Sequence, residues 1–279
     1  MGIKNHIPEN IKLSATLTAE TSRNAPVVLG GDPIENIKKI SALGYDGIEL
    51  HWSNPSQIEL HKLVTACEKY GIIISAFATG RAYVQEGLSL IDDDATRRNS
   101  AIKRLFNFVD AASPFHSTVI IGCIRGNLTS HEESSFYRDR LAQSTLMVAE
   151  YAATKGVPLV LEAINRYENN YLNSAAETLD FISAYNLPNT RILLDTFHMN
   201  IEDSNMAQAI EQCGNMLGYV HFADSNRYYV GAGHINYHEI VTALKKVNYT
   251  GFISAECLPL PDSDTALGKW IEGVKAAFE

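Results

Sequence analysis

Eight short apolar runs recur along the chain, each followed by a longer stretch of helical periodicity, and this alternation limits the fold more than any other feature. The runs are IKLSAT from Ile11, DGIELH from Asp46, GIIISAF from Gly71, STVIIGC from Ser117, GVPLVLEAI from Gly156, RILLDTF from Arg191, GYVHFAD from Gly218 and GFISAEC from Gly251. Near-continuous apolar runs of this kind suit strands buried on both faces, as in a parallel sheet covered by helices. Segments between them, such as IENIKKISALG and YHEIVTALKKVNY, carry the period of an amphipathic helix. Eight such units in 279 residues fit a closed (β/α)8 TIM barrel better than an open sheet. We therefore expect an α/β barrel formed as one domain over residues 1–279, since no linker, charge block or low-complexity tract divides the chain. Gly44, Gly71, Gly156 and Gly251 each stand between a helix and a strand, where a left-handed C-cap is expected.

Charge and cysteine usage narrow the function. The formal net charge is −9, which argues against nucleic acid as a partner, because phosphate binding draws most of its affinity from Lys and Arg. Cys67, Cys123, Cys213 and Cys257 lie far apart with no CxxC pair, so they read as reduced thiols rather than a disulfide frame or thiolate metal site. Residues 1–10 carry no apolar leader, and His6 occupies the position where a myristoylation signal needs Ser or Thr. No stretch approaches the length of a membrane span. A cytoplasmic protein without membrane contact is expected.

The last four runs each end in a group able to bind a metal: Glu162 in LVLEA, Asp195 in ILLDT, His221 in YVHFA and Glu256 in ISAEC. They are separated by 33, 26 and 35 residues, about one βα unit each, so a barrel brings all four to one side of its mouth. Alone, a strand-end carboxylate is a loop hydrogen-bonder or helix N-cap, and a lone His is a satisfied core group. Three carboxylates buried together without a cation are severely unfavourable, which favours the metal reading. The mostly oxygen donor set suits one divalent ion, Mn²⁺ or Mg²⁺, and is compatible with Co²⁺. Strand alternation then turns Cys257, beside Glu256, toward the helices as a packing residue. The long segments SRNAPVVLGGD and TGRAYVQEGLSLIDDD, after the first and third strands, fall where barrel sites are kept.

The strings LEAINRYE, LLDTFHMNIED, HFADSNR with the following GAGH, and AECLPLP resemble the ketose 3-epimerases of the xylose isomerase-like TIM-barrel superfamily, the group that includes D-tagatose and D-psicose 3-epimerases. TGRAYVQEGLSL, VIIGCIRG and SNRYYVGAGH look similar to a branch acting on 5-keto-L-gluconate, and to sugar phosphate isomerase/epimerases. The resemblance implies Glu162, Asp195, His221 and Glu256 as ligands of Mn²⁺ or Co²⁺. It also implies Glu168, His198 and Arg227 as the residues that hold the substrate near its carbonyl, and a homo-oligomer, dimer or tetramer. The expected partner is a small ketose, ketouronate or sugar phosphate.

The chemistry agrees with the residues. A cation touching a carbonyl and its neighbouring hydroxyl stabilises the enediolate left when the intervening carbon loses its proton. Inverting that carbon takes one base on each face, and Glu162 and Glu256 are the candidates. An aldose-ketose isomerase on the same scaffold is the nearest rival, since it uses the same ion and needs only one base. Other residues have two readings. His198, three residues past Asp195, is expected in the loop above the ion, as a hydrogen-bond donor to substrate or as a loop-stabilising group. Glu168 can be a helix-start carboxylate, and Arg227 a surface arginine. Arg125 departs from the simple ketose epimerases; a guanidinium in VIIGCIRG can clamp a carboxylate or phosphate, with Arg81 as a weaker helper, or can merely pair with an acid. Glu49 and His51 are expected near the site, Glu49 as a ligand or as a support. Trp52, Phe77 and Tyr83 are candidates for the pocket wall, although aromatics in barrels are more often core.

Overall fold

Parallel hydrogen bonding between successive apolar runs closes a ring of eight strands in the computed structural model, which describes residues 7–20, 22–130, 132 and 134–279. The strands are β1 (Ile11–Thr18), β2 (Gly47–His51), β3 (Ile73–Ala78), β4 (Thr118–Ile121), β5 (Leu159–Glu162), β6 (Thr190–Asp195), β7 (Leu217–Phe222) and β8 (Gly251–Ala255). Each pairs with the next, and β8 returns to β1 from Ile11 opposite Gly251 to Ala15 opposite Ala255. The helices are α1 (Pro33–Leu43), α2 (Leu60–Tyr70), α3 (Gly80–Glu86), α4 (Ala95–Ala112), α5 (Ser134–Thr154), α6 (Ala175–Ala184), α7 (Thr196–Glu202), α8 (Met206–Cys213), α9 (Tyr237–Lys246) and α10 (Ser263–Phe278). The expected fold is thus present, and residues 1–6, where the sequence shows no apolar leader, lie outside the described residues.

Alternation along each strand sorts the core in two. Outward side chains such as Leu159, Leu161, Ile192, Leu194, Val220, Phe222 and Ile253 join the layer between strands and helices. Cys257 packs in that outer layer, as alternation from Glu256 predicts. Inward side chains Ala76, Ala78, Ile120, Val160, Leu193 and Tyr219 fill the barrel interior. Two residues further along β5, β6 and β7 the inward positions become Glu162, Asp195 and His221, so the apolar plug ends where the polar mouth begins. The floor beneath is hydrogen bonded: Tyr219 Oη donates to Ser75 Oγ at 2.8 Å, and Ser75 donates to the Ile48 carbonyl.

Helix ends follow local chemistry. Asp32 caps α1, and Ser174 with Glu177 forms a capping box on α6. Gly44 and Gly71 are left-handed C-caps, and Gly156 is left-handed after α5. Gly251 differs from expectation: α9 closes through Val247 and left-handed Asn248, and Gly251 is already the first residue of β8. No helix among the described residues is long and apolar enough to cross a membrane.

Both long connections arrive at the mouth. After β1 the chain folds back so that Leu29–Gly30 pairs with Leu17 and Thr18, which brings residues 25–27 to the cavity. After β3 the chain turns directly into α3, which contributes Gly80, Arg81, Val84 and Gln85 to the same cavity.

Candidate active site

A cavity of about 240 Å³ opens at the carboxyl ends of the strands, with Glu162, His198, His221, Glu168, Arg227 and Glu256 among its lining residues. Glu162, Asp195, His221 and Glu256 are all buried, and one ligand atom from each lies within 4.8 Å of the others. The four strand ends therefore converge as their spacing predicts.

The two oxygens of Asp195 are in different situations. Its Oδ1 accepts from the Phe197 N–H and caps α7, while its Oδ2 is buried without a hydrogen-bond partner. His221 is divided the same way. Its Nε2 lies 3.1 Å from both carboxylate oxygens of Glu49, and its Nδ1 has no hydrogen-bond partner, facing Glu256 Oε2 at 3.4 Å and Glu162 Oε1 at 3.9 Å. Glu49 also bonds His51 Nε2 at 2.8 Å, so it supports two imidazoles and does not face the cavity. A carboxylate behind a ligating imidazole fixes its ring and raises its basicity.

Crowding leaves its mark on the protonation states. Burial, then the Glu256 charge, pushes the Glu162 carboxyl up to about 8. Burial also pushes Asp195 up to about 8 against the pull of Arg227. Burial raises Glu256 too, but His221 and Arg227 outweigh it and hold that carboxyl at about 2. His221 is pulled down by burial and up, more strongly, by Glu49 and Glu256, so it stays protonated well above the ordinary imidazole range. Two orphaned atoms, Asp195 Oδ2 and His221 Nδ1, thus point into a nest of carboxylates held together by borrowed protons. A divalent cation fits this set: it gives both orphans a partner and displaces those protons.

The remaining expected residues fall on both sides of the cavity wall. His198 lies on α7 and not in a loop; its Nε2 is 3.7 Å from Glu162 Oε1 and 3.8 Å from Asp195 Oδ2. Burial, then Arg227, holds its ring well below the ordinary range, hence neutral. Glu168 sits in a turn, with its N–H donating to the Asn165 carbonyl, and not at a helix start. Arg227 is no surface residue. It is held at φ 61° in the loop after β7, donates to Glu168 Oε1 at 2.5 Å and to Glu256 Oε2 at 3.2 Å, and lies over the Phe197 ring. Asp224 builds that loop by accepting from the N–H groups of Ser225, Gly231 and Ile235.

Arg125, the candidate anion clamp, is turned away from the cavity. It is fully buried and absent from the cavity wall, and its guanidinium donates to the carbonyls of Glu162, Tyr171 (3.1 Å) and Leu172 (3.1 Å) and to Asn169 Oδ1. It stitches the end of β5 to the following loop. Arg81 does line the cavity, paired with Glu20. The aromatic wall is also absent from this cavity: Phe77 is in the outer core, Trp52 is buried, and Tyr83 accepts from Asn127 away from the mouth. Ala25, Pro26, Val27, Val84, Ile120 and Ile164 form its apolar face instead. Sequence reading passed over Asn165, Asp224 and the closeness of Gly122, where a Cβ would lie 2.5 Å from Glu162 Oε2. Glu49 and His51 carried a readable signal, since two residues apart on a strand share one face.

Fold and site together define a (β/α)8 barrel protein whose mouth gathers four buried groups that could hold a metal ion. Residues 37–275 match the xylose isomerase-like TIM barrel family, and the chain belongs to that family. It is 32% identical over 259 residues to the L-ribulose 3-epimerase of Methylomonas sp. (strain DH-1), covering 84% of this chain and 88% of the relative. It is also 32% identical over 231 residues to the D-psicose 3-epimerase of Agrobacterium fabrum, covering 79% and 77%. The crystal structure of the D-allulose 3-epimerase from Methylomonas sp. in complex with D-allulose superposes with a TM-score of 0.80 at 26% identity, over 97% of this chain and 98% of that one.

Proposed function

We propose that the protein is a metal-dependent sugar epimerase that inverts the carbon beside the carbonyl, C3, of a ketose or ketouronate. One observation carries the reading: Glu162 at the end of β5 and Glu256 just past β8 face a single cavity, with Asp195 and His221 on the two strands between them. The likeness to ketose 3-epimerases over most of the chain supports it. The ion is Mn²⁺ by preference, with Co²⁺ or Mg²⁺ as alternatives, held by Glu162, Asp195, His221 and Glu256. When bound it supplies a positive charge beside the carbonyl and adjacent hydroxyl, which makes the C–H between them more acidic.

The chain's own residues do the rest. One of Glu162 and Glu256 takes the proton from one face of the substrate carbon and the other returns a proton to the opposite face; their roles exchange in the reverse direction. His198 donates a hydrogen bond to the oxygen that gathers charge, and Arg227 with Glu168 fixes the end of the substrate next to the carbonyl. The apolar face excludes water from the carbon being inverted. With Arg125 committed to main-chain carbonyls, Arg81 is the arginine on the wall, besides Arg227, that can meet an acidic substrate group. The homo-oligomer, dimer or tetramer, that the sequence resemblance implies is part of the same proposal.

The test is a panel of ketoses, ketouronates and ketose phosphates incubated in D₂O with the Mn²⁺-loaded protein. Inversion at C3 with one deuterium incorporated there is expected, and Glu162→Gln and Glu256→Gln should each lower turnover by about 10³-fold or more. An aldose product would mark the protein as an aldose-ketose isomerase. Full epimerisation by either variant would refute the two-base assignment.

A further inference from the structure

Asn165 links all three residues assigned to the carbonyl end of the substrate, although it lies behind the cavity wall. It is almost completely buried. Its Oδ1 accepts from the Tyr167 N–H at 2.9 Å, and that backbone donor decides which way the amide points, because an N–H can be accepted only by the oxygen. The Nδ2 is therefore the atom that faces His198 Nδ1 at 2.6 Å and Glu168 Oε1 at 3.2 Å. Each of its two hydrogens has one acceptor. Glu168 Oε1 in turn accepts from Arg227 Nη1.

An amide nitrogen has no lone pair to offer, so His198 Nδ1 must be the acceptor, and a neutral ring then carries its proton on Nε2. That nitrogen opens on the cavity, 3.7 Å and 3.8 Å from the nearest carboxylate oxygens, beyond hydrogen-bond reach. We infer that Asn165 is a positioning residue that locks His198 as the Nε2–H tautomer, keeping a free donor aimed at the substrate oxygen while holding Glu168 in line with Arg227. With the opposite tautomer a lone pair would face that oxygen, which also carries lone pairs, and the donor would be lost.

The tautomer can be read on the resting protein, independently of any substrate. Histidine-¹⁵N-labelled protein is loaded with Mg²⁺, which is diamagnetic, and His198 is identified by the signal missing from His198→Gln. A pyridine-like Nδ1 and a protonated, pyrrole-like Nε2 are expected. In Asn165→Asp the carboxylate still accepts from Tyr167 but now accepts from Nδ1–H as well, so Nδ1 should gain a proton. The consequence for turnover rests on the ketose reading: kcat should fall by about 10² to 10⁴-fold with KM changed far less, as for other histidines whose tautomer is mis-set. Asn165→Leu, which removes the lock without adding charge, should fall less in kcat and leave Mg²⁺ binding within a few-fold. A protonated Nδ1 in the wild-type protein overturns the inference, and so does an Asn165→Asp protein that keeps an unprotonated Nδ1. Absence of activity on every ketose with the expected tautomers would overturn the proposed function and leave the lock standing.

Discussion

The loop after β4 delivers a buried arginine and the loop after β7 a partly buried one to the same end of the barrel, yet the two do opposite work. Arg125 meets carbonyl dipoles: it ties Glu162, Tyr171 and Leu172 together through their main chain. Arg227 meets charges: Glu168 and Glu256 accept its hydrogen bonds, and Asp195 Oδ2 lies 3.8 Å away. The first holds the chain that carries Glu162, and the second balances the carboxylates of the mouth. A guanidinium's role therefore follows from whether it is surrounded by peptide groups or by carboxylates, and sequence position near a strand end does not distinguish the two.

The comparison breaks most sharply at Arg227. Arg227→Leu should lower kcat/KM by about 10³-fold, close to the loss of a transition-state donor, while the melting temperature changes little. If stability fell as much as activity, Arg227 would be a stitch like Arg125. Arg125→Met should show the reverse pattern. Unfolding stability measured by urea titration should drop by about 3 kcal/mol, because several buried carbonyls lose their donor. The preference between ketouronate and neutral ketose should not move; a selective loss of the acidic substrate would restore the anion-clamp reading.

A finer cut lies in the same β4 loop. Gly122→Ala would set a Cβ against Glu162 Oε2, so Mn²⁺ affinity by calorimetric titration should weaken by about 10-fold with the barrel intact. Unchanged affinity would mean that Glu162 can move aside at no cost. The smallest expected effect is in pH. Glu162 and Asp195 are raised from the ordinary carboxylate range to about 8. A carboxyl raised on folding favours the folded state at low pH, and this contribution is lost as pH rises toward 8. The metal-free protein should therefore lose thermal stability between about pH 5 and 8. Metal binding should release protons across the same window, measured as buffer-dependent heats. Flat stability with no proton release would show that these carboxylates are already ionised.

How much was legible in the sequence differs between site and surroundings. Glu162 and Asp195 end their strands and His221 is the last residue but one of β7, and a strand's period of two decides their direction once the run is recognised. Barrel closure then leaves them little choice but to meet, and Glu256 follows one residue past β8 for the same reason. DTFHMN reads as a loop because nothing in it announces a helix; the cap that starts α7 is Asp195 itself, whose other oxygen faces the mouth. Side-chain type leaves Trp52, Phe77 and Tyr83 between pocket wall and core, and none of the three lines this cavity.

The sequence by itself determined the ring of eight parallel strands, the outward apolar and inward polar alternation, and the four groups at the mouth, because these follow from local periodicity and from repeated βα spacing. Only the tertiary structure decided what Arg125, Arg227, Glu49 and Asn165 do. Their roles depend on which carbonyl, carboxylate or imidazole stands within 3.5 Å, and those neighbours come from chain segments tens of residues away. Periodicity is a property of one segment, whereas a hydrogen bond between loops exists only after the barrel has brought them together.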